Sequence, residues 1–161
     1  MAERDGWREN LVGDDPGLTR VLRESATIAV LGAKAAPGEP AYYVPAYLAA
    51  HGYRIFPVNP TIAGRELLGA SVVPTLADLE GPVDTIEVFR RPEYLVGHAR
   101  EILALAWRPR VVWFQLGIRN DVSAELLARA GIRVVQDRCM MPEHRRLLGR
   151  VRGPLGDAHG R

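Results

Sequence analysis

The sequence of 161 residues has very little cysteine, very little lysine and no long apolar run. Its single cysteine, Cys139, excludes an internal disulfide framework and a multi-cysteine metal site, so we name no metal ligands. The absence of an apolar run of roughly 18 residues argues against a membrane-spanning helix. The N-terminal residues are charged and lack the apolar core of a signal peptide. Together these features predict a cytoplasmic protein that does not associate with membranes.

Charge of one sign is not strongly in excess, because the formal net charge is only +2. This value is too small to indicate nucleic-acid binding, and the arginine-rich segment after 138 is typical of a solvated tail. An apolar content of 47% and a charged content of 25% are ordinary for one globular domain. We predict a lead-in at 1–16, one domain at 17–148 and a flexible basic tail at 149–161.

Short apolar runs alternate with amphipathic segments along the chain. Runs that predict strands lie at 27–31, 53–58, 83–89, 110–114 and 132–135. Segments that predict helices lie at 17–25, 41–51, 92–107, 121–130 and 142–148, and the first is expected to cover one edge of the sheet. The pattern predicts a single α/β domain with a Rossmann-like, doubly wound, mainly parallel sheet of five strands and helices on both faces.

The first predicted strand runs into Gly32, and small residues and two prolines then lead to a predicted helix. The N–H groups at a helix N-terminus have no partners, and the helix dipole favours negative charge there. This order of strand, loop and helix therefore predicts a phosphate site. Lys34, the only lysine beside twenty arginines, lies in its loop. A tight turn after a buried strand is the alternative explanation for Gly32.

Polar or cationic residues follow the other strands as well. Asn59 follows the second strand, Arg90 and Arg91 follow the third, and Gln115 follows the fourth. Because ligands of doubly wound sheets bind at the carboxyl ends of the strands, we expect these residues to converge on one rim. Paired arginines at that rim can neutralise a phosphate. The alternative for Asn59 is a turn residue before a proline.

Two common nucleotide-binding motifs are missing. The loop after Gly32 lacks the G-x-G-x-x-G spacing, and no carboxylate stands between 56 and 64 to hold ribose hydroxyls, which argues against NAD. No glycine-lysine-serine/threonine triplet is present, which argues against a P-loop. Coenzyme A (CoA) carries a diphosphate and a 3′-phosphate, and it fits a rim that presents Lys34, Arg90 and Arg91.

Six segments of the sequence carry a family resemblance, at 28–32, 51–60, 84–93, 112–118, 137–140 and 143–144. Over roughly 18–148 the chain resembles the small single-domain CoA-binding proteins, which are similar to the CoA-binding domain of the succinyl-CoA synthetase α-chain. The resemblance implies a Rossmann-like fold with CoA lying across the ends of the strands. The implied contacts, from the diphosphate through the adenosine to the pantetheine arm, are Gly32, Ala33 and Lys34, then Asn59, Pro60, Phe89, Arg90 and Arg91, and then Gln115, Leu116 and Gly117.

The expected ligand is therefore CoA or an acyl-CoA. Because the synthetase's further domain is missing and no nucleophile–base pair is evident, we name no catalytic residue and expect a binding protein rather than an enzyme. An NAD(P)-binding oxidoreductase and a nucleotide-responsive regulatory protein stay open as alternatives, and the sequence indicates no protein partner. Cys139 is interpreted either as a small, partly buried apolar residue or, beside Arg138, as a thiol that forms a mixed disulfide with CoA.

Overall fold

Five parallel strands form the central sheet of the computed structural model, which describes residues 6–149. The sheet order is β2-β1-β5-β6-β7, which confirms the predicted α/β fold with a five-stranded parallel sheet. Every residue of the central strand β5 and of its neighbour β6 is buried, as is typical of a sheet covered on both faces. The strands of this sheet are β1 Thr27–Leu31, β2 Arg54–Val58, β5 Thr85–Val88, β6 Val111–Phe114 and β7 Arg133–Val135.

Five α-helices cover the two faces of the sheet. They are α1 Asp15–Glu24, α2 Pro40–Ala50, α3 Leu95–Leu103, α4 Asp121–Arg129 and α5 Met140–Leu147. Buried residues of α3 and α4 pack in one apolar core, and those of α1, α2 and α5 pack in a second core on the opposite face. The sequence predicts that the first helix covers an edge of the sheet. Instead α1 lies on a face, because Leu18, Val21 and Leu22 all point into the second core.

The direction in which successive strands are added to the sheet reverses between β1 and β5. From β1 the chain passes to β2 on one side, and it then returns to add β5 on the other side. The loops after β1 and β5 therefore leave the sheet in opposite directions and open a crevice between them. At this point the Phe89 amide donates to the Leu31 carbonyl at 2.9 Å, so the pairing of the two strands continues to the rim.

The long connection after β2 contains a short antiparallel hairpin that the sequence analysis missed. Strands β3 Glu66–Leu67 and β4 Ala70–Ser71 are only two residues long, too short to show a period. Leu68 and Gly69 form the turn, both with positive φ, as tight hairpins require. After the hairpin, Val73 bonds with Pro57 and Asn59 on the outer edge of β2, so the connection closes that edge.

Two helices differ in length from the prediction. Helix α3 ends at Leu103 rather than 107, and the chain leaves it in a tighter turn, in which the Leu105 amide donates to the Ile102 carbonyl at 3.2 Å. Helix α5 begins at Met140 rather than at Pro142, because a proline is tolerated throughout the first turn, where the N–H groups lack helical partners anyway. The basic tail predicted at 149–161 lies outside the described residues except for Gly149. In the part that is described, no helix combines the length and apolar character needed to cross a membrane.

Candidate functional site

The carboxyl ends of β1, β2 and β5 surround a cleft of about 250 Å³ at the point where the strand order reverses. Three cationic side chains, Lys34, Arg90 and Arg91, line it together. Among residues 6–149 no acidic side chain contributes to its wall, so the cleft is cationic throughout. The remaining lining residues are Gly32, Asn59, Thr61, Phe89 and Tyr94.

Gly32 allows the loops after β1 and β5 to approach each other closely. Its φ is +90°, a conformation that L side chains rarely adopt. A Cβ atom at this position would collide with the carbonyl oxygen of Phe89 and would lie 3.0 Å from Cδ of Arg90. Gly32 is therefore both a tight turn after a buried strand and the opening through which the Arg90 side chain passes over the end of β1.

The Asn59 side chain links two segments of the rim by hydrogen bonds. It is only 4% exposed. Its Nδ2 donates to the Ala33 carbonyl at 2.7 Å, and its Oδ1 accepts from the backbone N and Oγ1 of Thr61 at 2.9 and 2.8 Å. These bonds tie the β1 loop to the end of β2 and begin a short 3-10 helix, Pro60–Ile62. Asn59 is therefore the turn residue that the sequence allowed, and it still forms part of the cleft floor.

The three cations differ in how firmly they are held. Lys34 and Arg91 are exposed, and within the described chain neither has an ion-pair partner. Arg90 is half-buried, and its Nε donates to Nε2 of His98 at 3.4 Å. Like charges that share a cleft repel one another, and an anion between them removes that repulsion. The electrostatics of the cleft therefore favour an anion over a cation.

The N-terminus of α2 does not contribute to this cleft, contrary to the sequence analysis. Pro40 has no N–H, and the amides of Tyr42 and Tyr43 both donate to the Glu39 carbonyl, at 2.8 and 2.9 Å. The Glu39 side chain adds a carboxylate at the N-cap. The cationic side chains therefore line this cleft, whereas the first turn of α2 does not.

The residues implied for the pantetheine arm lie elsewhere on the rim. Gln115 is only 3% exposed, and its amide bonds Glu87 and the backbone N of Met140. Leu116 is 69% exposed, and the Gly117 amide donates to Asp137 at 2.6 Å. The structure therefore places Gln115 inside the protein, whereas Leu116 and Gly117 are accessible outside the cleft.

The family model of the CoA binding domain matches residues 26–145. The chain belongs to this CoA-binding family. A curated relative, the uncharacterized protein YneT of Bacillus subtilis (strain 168), is 36% identical over 127 residues and covers 79% of this chain and 91% of its own. Among solved structures, cell-free ID.343 from Thermus thermophilus is 50% identical with a TM-score of 0.80, over 84% of this chain and 100% of that one. A hypothetical protein from Pyrococcus horikoshii OT3 is 32% identical with a TM-score of 0.78, over 85% and 94%.

Two residues that line the cleft, Thr61 and Tyr94, are not among the site residues predicted from the sequence of this CoA-binding family member. Thr61 follows Asn59 and Pro60 directly, but its polar side chain looked like an ordinary loop residue. Tyr94 lies in the 3-10 helix Pro92–Tyr94, and its amide donates to the Arg91 carbonyl at 3.0 Å. Because a 3-10 helix has three residues per turn, Tyr94 returns to the side of Arg91. The helix start predicted at Pro92, directly after the arginine pair, was the signal that could have placed Tyr94 beside Arg91.

Glu87 is a buried acid beneath the rim that the sequence analysis did not single out. It is fully buried in the middle of β5, and burial raises its pKa to about 8. One carboxyl oxygen accepts from Gln115 Nε2 at 2.7 Å, and the other has no partner within the described chain. Glu87 is therefore protonated at neutral pH. A lone acid in an otherwise apolar run was the available sequence signal.

Cys139 does not have the environment of a reactive thiol. It is half-buried, and burial raises the pKa of its thiol. The neighbouring Arg138 guanidinium donates to the Gly13 carbonyl at 2.9 Å and lies 3.6 Å from Glu143. This cation is engaged elsewhere, so it does not support the mixed-disulfide hypothesis for Cys139. In the described part of the chain, no group of three or more histidine, cysteine or acidic residues is arranged to hold a metal ion.

Proposed function

We propose that this protein binds CoA or an acyl-CoA, with phosphate groups of the ligand in the cleft lined by Lys34, Arg90 and Arg91. The observation that carries the proposal is the convergence of these three cations at the point where the strand order reverses. Doubly wound sheets bind nucleotides at that point. Membership of a CoA-binding family then selects CoA among phosphate-bearing ligands.

The chemistry of the cleft suits the nucleotide end of CoA. The planar guanidinium of an arginine forms paired hydrogen bonds to phosphate oxygens, and the lysine ammonium adds a compact point charge. Phe89 and Tyr94 contribute aromatic surfaces beside these cations, and such surfaces can stack on adenine. Ala33 is buried and Pro60 is exposed beside the cleft, so we assign them at most backbone and edge contacts.

The size of the cleft indicates that only part of the ligand lies in it. Sites that enclose a whole drug-sized ligand are usually about 300–1,000 Å³, and this cleft is smaller at about 250 Å³. We propose that the pantetheine arm leaves the cleft along the rim towards the exposed residues Leu116 and Gly117. The buried Gln115 would support that part of the rim without touching the ligand. We propose no reaction and no catalytic residue.

Isothermal titration calorimetry of the full chain tests this proposal. We expect binding of CoA and acetyl-CoA, weaker binding of dephospho-CoA if a cation contacts the 3′-phosphate, and no binding of NAD. Charge-assisted hydrogen bonds contribute about 1.5–3 kcal/mol, so Lys34→Ala or Arg91→Ala should weaken CoA binding about 10- to 100-fold.

Arg100→Ala is the matched control, because Arg100 is an exposed arginine of α3 that does not line the cleft. Its loss removes the same charge and should change the affinity by less than about twofold. An equal loss in the control would show nonspecific attraction rather than a site. Binding of NAD without binding of CoA would refute the proposal in favour of the NAD(P) alternative.

A further inference from the structure

Arg90 is held from outside the cleft by His98 of α3, and His98 is bonded in turn to Glu101 of the same helix. Its Nε lies 3.4 Å from Nε2 of His98, and Nδ1 of His98 lies 3.0 Å from Oε1 of Glu101. Because Nε2 accepts from the guanidinium, the ring proton of His98 must be on Nδ1, from which it is donated to Glu101. The spacing of three residues between His98 and Glu101 brings both side chains to the same face of the helix.

The alkyl part of Arg90 is constrained as well. Its Cδ lies directly above Gly32, in the space that a side chain at that position would fill. Fixing a free arginine side chain costs conformational entropy. The course of Cδ over Gly32 and the hydrogen bond at Nε restrict the Arg90 side chain before any ligand arrives. Its neighbour Arg91 has no such contact within residues 6–149.

We propose that His98 is a positioning residue for phosphate binding: it occupies Nε of Arg90, so that the guanidinium meets the phosphate end-on through its two terminal amino groups. This inference rests on the proposed function. An arginine otherwise binds an oxyanion either end-on or through its Nε side. With Nε engaged by His98, only the end-on geometry is available, and Glu101 maintains it by fixing the tautomer of His98.

Three variants test this role by calorimetry with CoA. We expect His98→Ala to weaken binding about 3- to 10-fold, because Arg90 must then be ordered by the ligand. His98→Gln places an amide oxygen near the position of Nε2 and should restore the affinity to within about twofold. In an Arg90→Ala background, His98→Ala should have no further effect, since residues that act together are not additive. His51→Ala, an exposed histidine at the end of α2 on the other face, should leave the affinity unchanged.

An equal effect of His98→Ala with and without Arg90, or failure of glutamine to restore binding, would overturn the inference.

The Nε–H signals of Arg90 and Arg91 in 15N NMR spectra provide a test that needs no ligand. His98→Ala should shift the Arg90 signal and leave the Arg91 signal in place. An unchanged Arg90 signal refutes the contact itself. If the Arg90 signal shifts as expected in His98→Ala but the wild-type protein does not bind CoA, the proposed function and the phosphate role are refuted instead.

Discussion

Replacing Glu87 with glutamine should remove much of the loss of stability that the protein undergoes as pH rises. Burial raises the pKa of Glu87 from its ordinary value of 4.5 to about 8. Between these values the folded protein keeps the proton, whereas the unfolded chain has released it. The unfolded state therefore binds fewer protons, and the free energy of unfolding falls by about 1.4 kcal/mol for each pH unit. Across the whole interval the loss sums to about 5 kcal/mol.

The geometry around Glu87 makes glutamine a close substitute for the protonated acid. The amide oxygen can accept from Gln115 Nε2, as the bonded carboxyl oxygen does at 2.7 Å. The amide nitrogen then takes the place of the oxygen that has no partner in the described chain. An additional unpaired buried donor costs about 1–3 kcal/mol at every pH. The variant should therefore be slightly less stable at pH 4.5 and about 2–4 kcal/mol more stable at pH 8.

Urea unfolding at several pH values between 4.5 and 8 measures this difference. The informative quantity is the slope of the difference in unfolding free energy between Glu87→Gln and the wild type, since all other titrating groups are shared. Glu80→Gln provides the control, because Glu80 is exposed and its replacement should leave the slope unchanged. Parallel stability profiles for wild type and Glu87→Gln would refute the reasoning, because they would mean that Glu87 is already ionised in the fold.

Three further predictions concern the rim. Gly32→Ala should destabilise the protein by about 1–3 kcal/mol more than Gly64→Ala, since both have positive φ but only the first Cβ would meet the backbone; equal melting temperatures would contradict this. Asn59→Ala should lower the free energy of unfolding in urea by about 2–4 kcal/mol, because three hydrogen bonds are lost and the buried Ala33 carbonyl loses its partner. A decrease under about 0.5 kcal/mol would show that the rim does not depend on these bonds. Cys139 should react with iodoacetamide more slowly at pH 7.5 than a cysteine in a model peptide, because burial raises its thiol pKa; faster alkylation would restore the mixed-disulfide hypothesis.

The sheet could be predicted from the sequence because its strands are short apolar runs with few alternatives. All five appear within two residues of their predicted bounds. The hairpin at 66–71 could not be predicted, since its strands are two residues long and Leu68 is an unusual residue for a left-handed turn. The placement of α1 on a face also depends on tertiary packing, because the spacing of its apolar residues predicts a buried side but not the surface that buries it.

The convergence of Lys34, Arg90 and Arg91 followed from topology, since residues that come directly after parallel strands share one rim whatever the loops do. The roles of the amides did not follow, because an asparagine or glutamine at a strand end looks the same whether it contacts a ligand or the protein. In the structure the side chains of Asn59 and Gln115 both form hydrogen bonds within the protein. Beneath them, burial raises the pKa of Glu87 and so favours its neutral form. These neutral groups thus stabilise the backbone of the rim, and the cations remain available to a ligand. Because these supporting groups carry no charge, they leave Lys34 and Arg91 without an acidic partner in the described chain, which supports the proposal that the rim binds an anion.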